Sequence, residues 1–339
     1  MGGWQRIAAA TDVLENPVAT IRAVLVTASV LLLTVLLGAC GGGSGASGAS
    51  DKGPTTVKVT VIPIVDVAPI YLGNQQGFFK SQGIDLRITT APGGAAIVPA
   101  VVSGQVDFGF SNLTSLIVGA SKGLPLKIVA PGDSSTGVQG KDFGGVVVKA
   151  DSPIRSARDL AGKRVAVNTL NNINDTTVRA SIRAAGGDAT NVRFTELGFP
   201  DMLPALANGN VDAIQVVEPF LATALRSGDR LVASNYVDTA PNLMIAGYFT
   251  SQQTAKAKPD LVKRFAAAMQ QSLQYATAHP DAVRQVLSSY TKIAPAVTAA
   301  MTLPQFPSQV DSASVQTLSG LAVKDGLITK TPDLTALLP

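Results

Sequence analysis

Strand signals and helix signals alternate along this chain, and the alternation runs through twice. A short apolar or period-2 run bounded by turn residues marks a strand. A longer run that opens on a cap or a proline and closes on glycine marks a helix. Residues 57–64 read as a strand. Residues 69–82 follow as a helix that Pro69 opens and Gly83 ends, then 84–90 as a strand. Residues 93–103 read as a small-residue helix ended by Gly104, 106–110 as a strand, 111–122 as a helix with Gly123 past its end, and 126–130 as a strand. After Val146-Val147-Val148 the pattern restarts, with strands at 164–168, 192–196 and 211–216 and helices at 176–185, 201–207 and 219–226. A strand at 244–250 leads into helices at 259–279 and 280–290 and two shorter ones near Pro295 and Ser308. Alternation of this kind specifies an α/β protein, in which mostly parallel sheets are covered by helices. The helical tail has no sheet of its own. It is expected to pack back on the first unit, which makes that unit discontinuous.

The N-terminal segment belongs to a different regime. An apolar run at 23–37 is about fifteen residues long, short of the roughly twenty that a spanning helix needs and suited to a signal-peptide core. It closes on Leu37-Gly38-Ala39-Cys40, which resembles the bacterial lipobox at all four positions. The small residues admit a peptidase, and the cysteine sulfur is the acceptor for a diacylglyceryl group. Cys40 is the only cysteine, so it has no internal disulfide partner, and an exposed thiol outside the cytoplasm is reactive unless capped. Residues 41–50 are Gly, Ser and Ala only, a flexible tether with nothing to pack. The expectation is a signal peptide over 1–39, then lipidated Cys40 and a tether over 40–54, with the protein held on the extracytoplasmic face of the cell membrane. The stretch before the apolar run is long, and Asp12 and Glu15 dilute its positive charge, as expected if translation starts further in.

Composition narrows the function. Only 15% of residues are charged and the formal net charge is +4, without long basic runs. That excludes disorder over the body of the chain and argues against a nucleic-acid partner. One histidine, His279, and no second thiol leave a His/Cys zinc site without ligands. His279 stands in a His-Pro step after a helical stretch and reads as a surface residue. No cofactor or metal is expected.

A series of short motifs in order carries a resemblance. Ala68-Pro69-Ile70-Tyr71-Leu72 leads to Gln76-Gly77-Phe78-Phe79-Lys80 and Gly83-Ile84-Asp85-Leu86. Gly93-Gly94 and Ser103-Gly104-Gln105-Val106-Asp107-Phe108-Gly109 follow. Asp159-Leu160-Ala161-Gly162-Lys163-Arg164, Leu206-Ala207-Asn208-Gly209-Asn210-Val211-Asp212-Ala213 and Glu218-Pro219-Phe220 complete the set. Over 57–292 the chain resembles the nitrate/sulfonate/taurine-type substrate-binding proteins of ABC importers, a group that includes relatives making the thiamine pyrimidine. The resemblance implies a type II periplasmic-binding-protein fold: two α/β lobes joined by two crossovers, with a ligand cleft between them. Lobe 1 is then expected at 55–145 plus 245–339 and lobe 2 at 146–244, with crossovers near 144–149 and 242–247. It implies a monomeric receptor that closes on a small solute and hands it to a permease and its ATPase. The alternatives are an enzyme on the same fold, whose histidine and cysteine cluster have no counterpart here, and a sensory or adhesion lipoprotein.

In such a fold ligands sit beyond the carboxyl ends of the strands, where helix N-termini offer unpaired N–H groups. The candidate contacts are Asp66 and Val67 in the loop after the first strand, Gly93 and Gly94, and Ser111 and Asn112. Lobe 2 offers Asn168, Thr169, Asn171, Asn172 and Glu218. Asp66 also suits a turn, Ser111 and Asn112 also suit helix caps, and Glu218 either touches ligand or braces the hinge. Tyr248 and Tyr236 are aromatic lid candidates, while Phe78, Phe79 and Phe108 read as core. These loops carry amides, hydroxyls and two carboxylates but no Arg or Lys. The expected solute is a small polar organic molecule, of the sulfonate or taurine type or aminopyrimidine-like, rather than bare nitrate.

Overall fold

The fold is taken from a computed structural model of the chain, which describes residues 53–339. The expected leader over 1–39, Cys40 and most of the tether lie outside the described residues. The first half runs β1 (Thr55–Val61), α1 (Ala68–Gln75), α2 (Phe78–Ser81), β2 (Ile84–Thr90), α3 (Gly94–Val102), β3 (Phe108–Asn112), α4 (Leu113–Ser121) and β4 (Leu126–Ser134). The second runs β5 (Gly144–Val148), β6 (Arg164–Val167), α5 (Ile173–Ala184), β7 (Arg193–Glu196), α6 (Phe199–Ala207), β8 (Ala213–Val217), α7 (Phe220–Arg226), β9 (Arg230–Ala233) and α8 (Asn235–Thr239). The tail is β10 (Met244–Ser251), α9 (Gln252–Ala257), α10 (Pro259–Ala278), α11 (Pro280–Val286), α12 (Pro295–Ala300) and α13 (Ser312–Lys324).

Two five-stranded sheets result, ordered β2-β1-β3-β10-β4 and β7-β6-β8-β5-β9. The two orders follow one plan. In each sheet four strands share one direction, and the fourth position in the order is filled by an antiparallel strand that the chain enters directly from a crossover. β10 runs antiparallel to β3 and β4, and β5 runs antiparallel to β8 and β9. This is the type II periplasmic-binding-protein arrangement of two α/β lobes joined by two crossovers. The chain changes sheets within 135–143 and again between α8 and β10. The first passage therefore precedes the expected 144–149, because all of β5 pairs in the second sheet.

Four local departures have physical causes. The helix expected over 69–82 splits into α1 and α2 at Gly77, whose φ of 78° is left-handed. The strand expected to stop at Ala130 continues to Ser134, because its pairing with β10 shifts register and absorbs Pro131 and Gly132 at bulges. α5 starts at Ile173 rather than Thr176. Asn172 accepts the Asn174 N–H at 2.9 Å, and Asp175 reaches back to the N–H groups of Asn171 and Asn172. β9 and α8 were not anticipated. They are short, and the burial of β9 is only partial, so no period stands out.

The tail packs on lobe 1, with α10 lying on α1 across Gly73, where any added Cβ would collide with Ser272. It also does more than expected, because it reaches lobe 2. α12 touches α7, α13 lies on both α4 and α5, and Arg183 of α5 pairs with buried Asp325 just past α13 at 2.6 Å. No described helix is long and apolar enough to cross a membrane.

Candidate functional site

The strand ends of both sheets face one another, and two adjoining chambers lie between them. The inner chamber, about 20 Å³, is bounded on one side by Asp66, Phe110, Asn112 and Ala246 and on the other by Asn168, Asn172, Asn174 and Tyr236. That volume holds little more than one water, so admitting any larger molecule requires the lobes to part. The outer chamber, about 360 Å³, is walled by Ile62, Pro63 and Ile64, the 90–92 segment, and Phe199, Pro200, Asp201 and Phe220. It falls in the size range of small-molecule sites. Ile62, Ile64 and Phe199 border both.

Local structure explains how the amides reach the inner chamber. β3 runs through Ser111 and Asn112, and α4 starts immediately after, which makes Asn112 the N-cap. Its Oδ1 accepts the Ser115 N–H at 2.9 Å and, across the cleft, the Ile173 N–H at 3.3 Å. The first turns of α4 and α5 thus converge on one amide oxygen. The early start of α5 gathers the other amides. Asn168 Oδ1 accepts from Asn172 Nδ2 at 2.7 Å and from Asn174 Nδ2 at 2.8 Å, and Tyr236 donates its hydroxyl to Asn174 Oδ1 at 2.8 Å.

The carboxylates are placed differently. Asp66 sits in a short 3-10 turn, Val65–Val67, and burial pushes its pKa up to about 7. Its Oδ1 is buried without a hydrogen-bond partner. Asp133, on β4, is wholly buried beside Asp66, and burial together with the charge of Asp66 and a side-chain hydrogen bond to it pushes Asp133 well above the carboxylate range. Asp142, in the first crossover, is satisfied by Ser135 Oγ and by the N–H groups of Thr136 and Phe143. The loop signals singled out neither Asp133 nor Asp142. The usable sign was an acid beyond an apolar strand, which the preceding Pro-Gly disguised as a turn.

The remaining candidates take other places. Gly93 and Thr169 meet across the rim of the cleft: a Cβ on Gly93 would stand 2.5 Å from Thr169 Cγ2. Gly94 lies over buried Ser111, which does not border the inner chamber. Val67 is core, and Asn171 is an exposed turn residue with φ 56°. Tyr248 is buried under Phe110, ring centres 5.1 Å apart, and is no lid. Tyr236 is buried too, at the chamber wall. Glu218 ties lobe 2 to the tail. Its carboxylate accepts the N–H groups of Ala222 at 2.9 Å and of Thr302 in the tail at 3.1 Å, and burial raises its pKa to about 7. His279 caps α10, is exposed and stacks on Tyr275, away from both chambers.

A family model described as NMT1/THI5 like matches residues 64–283. The chain belongs to that family. Among its relatives is the taurine-binding periplasmic protein of Escherichia coli (strain K12), 26% identical over 241 residues, 70% of this chain and 72% of the relative. Another is the 4-amino-5-hydroxymethyl-2-methylpyrimidine phosphate synthase of Aspergillus parasiticus, 25% identical over 63% of this chain and 64% of the relative. The alkanesulfonate-binding protein SsuA of Xanthomonas axonopodis pv. citri, solved with MOPS bound, superposes with a TM-score of 0.71 at 17% identity. The match covers 85% of this chain and 99% of that one, and it shows a shared fold.

Proposed function

We propose that this chain is the extracytoplasmic solute receptor of an ABC importer. It captures a small polar organic molecule between its lobes and presents the closed form to a permease and its ATPase. The observation that carries this reading is the reach of one polar surface across the cleft. The Asn112 amide of lobe 1 holds an N–H of lobe 2 over a chamber too small to fill without opening. A cleft of that kind supports hinge closure around a solute. Asp66, Asn112, Asn168, Asn172 and Asn174 are the proposed contacts, with Gly93 and Thr169 as the closing rim. Lipid on Cys40 is the proposed anchor and the Gly/Ser/Ala stretch the tether, so that the receptor turns freely as a monomer beside its transporter. The taurine-binding relative supports uptake. The synthase relative favours chemistry instead, but the chain's one histidine stands outside both chambers.

The test is to purify the protein from its own cells, identify the carried solute by native mass spectrometry, and measure uptake of that solute with the gene deleted. The expected result is a stoichiometric small molecule whose uptake collapses. Unchanged uptake of the recovered solute sinks the receptor reading.

A further inference from the structure

The two chambers differ from an anion site in what they leave unsatisfied. Around the inner one the side-chain amides are already paired. The N–H groups of Ser115 in α4 and Ile173 in α5 end on Asn112 Oδ1, those of Asn171 and Asn172 end on Asp175, and the amide nitrogens of Asn172 and Asn174 end on Asn168. The start of α5, which would otherwise cradle an anion, is closed by the protein's own oxygens. Carboxylate acceptor capacity remains beside it. Asp66 is 3% exposed, borders the inner chamber and keeps Oδ1 unpaired. Behind it lies wholly buried Asp133, a second acid that shares a side-chain hydrogen bond with Asp66. No lysine, arginine or histidine lines either chamber, and Asp201 adds a carboxylate to the outer wall. Among the described residues no three His, Cys, Asp or Glu gather closely enough to hold a metal ion.

We propose that the cleft selects an organic cation, with a protonated amine or amidinium directed at Asp66 and an apolar body lodged against Phe199 and Phe220. The proposal rests on the receptor reading and narrows its solute. A buried carboxylate without a donor is costly, and a cation bearing N–H groups supplies both the charge and the donors. A sulfonate or nitrate in the same place would meet carboxylate oxygens and no cationic side chain. The outer chamber suits the rest of the molecule. Apart from Thr90 and Asp201 its walls are apolar, and the stacked Phe199 and Phe220 rings, 5.6 Å apart, give a face for carbon or an aromatic ring.

Calorimetric titration of the purified full-length protein with benzamidine, n-butylamine, butanesulfonate and nitrate tests this, repeated on Asp66→Asn. Binding is expected for the two cations only, and Asp66→Asn should weaken it ten-fold or more. The variant should also melt no lower than the parent, because the substitution removes the desolvation cost of a buried carboxylate and keeps a side chain that can still pair with Asp133. Tighter binding of butanesulfonate or nitrate overturns the cation and leaves the receptor standing. Undiminished cation binding by Asp66→Asn, or no binding by any of the four, also overturns it. The solute recovered from cells then decides the receptor reading separately.

Discussion

Replacing Gly93 by alanine should hold the lobes apart. Gly93 adopts an extended backbone that alanine also adopts, so the substitution adds only volume. The new Cβ would stand 2.5 Å from Thr169 Cγ2, about 0.9 Å inside the 3.4 Å at which ordinary contact begins. Thr169 resists rotating away, because its Oγ1 accepts from Asn172 Nδ2 at 2.7 Å. Overpacking of this kind costs about 1–3 kcal/mol, which lowers the closing equilibrium roughly 5- to 150-fold. The open form bears none of that cost apart from a slightly poorer N-cap for α3. Cys40 is the only cysteine, so a Cys40→Ser background accepts dyes at Lys80→Cys and Arg226→Cys, exposed positions on the two lobes. Single-molecule energy transfer should show the closed population shrinking in Gly93→Ala and recovering in Gly93→Ala with Thr169→Ser, which deletes Cγ2 and keeps the hydroxyl. An unchanged closed population, or no recovery in the double variant, refutes the steric argument.

Stability should fall as pH rises. Asp66 and Glu218 titrate near 7 in the folded protein, above their unfolded values. Their contribution is complete below the unfolded pKa and is lost as pH climbs through about 7. The thermal midpoint should drop between about pH 5 and pH 8, and Asp66→Asn should flatten that slope. A midpoint that rises over the range contradicts the assignment. Glu218→Ala leaves the N–H groups of Ala222 and Thr302 unpaired and should cost about 1–3 kcal/mol in urea unfolding; an unchanged midpoint would show that the brace is idle. Cys40→Ser should release the protein from membranes or leave it unprocessed, and persistent lipid labelling would place the anchor elsewhere.

Much of the fold was legible because strands buried in a parallel sheet and helices stopped by glycine leave clear periods. Residues 84–90 were read to the residue as β2, and Gly104 and Gly123 mark helix ends because each is left-handed. The illegible parts depend on partners remote in sequence. β4 survives Pro131-Gly132 only because β10, more than a hundred residues later, pairs with it through bulges. β9 is short and half-covered. Of the residues that strand-end logic names, Asp66, Asn112, Asn168 and Asn172 border the inner chamber, whereas Tyr248 and Ser111 do not, since facing direction depends on a register that no local pattern fixes. Asp133 was hidden for the same reason as the end of β4. No local signal tells that the Thr302 N–H reaches back to Glu218.

The ion pair between Arg183 and Asp325 changes the mechanics of the cleft. Two peptide crossovers alone define an axis about which the lobes can swing by any small angle. The tail adds a non-covalent link between the lobes here, beside the one that Thr302 makes to Glu218. A swing that carries α5 away from α13 has to separate the guanidinium from a carboxylate whose side chain is 2% exposed. That contact lies outside both chambers, so parting the lobes there carries a cost that the shape of the cleft does not show.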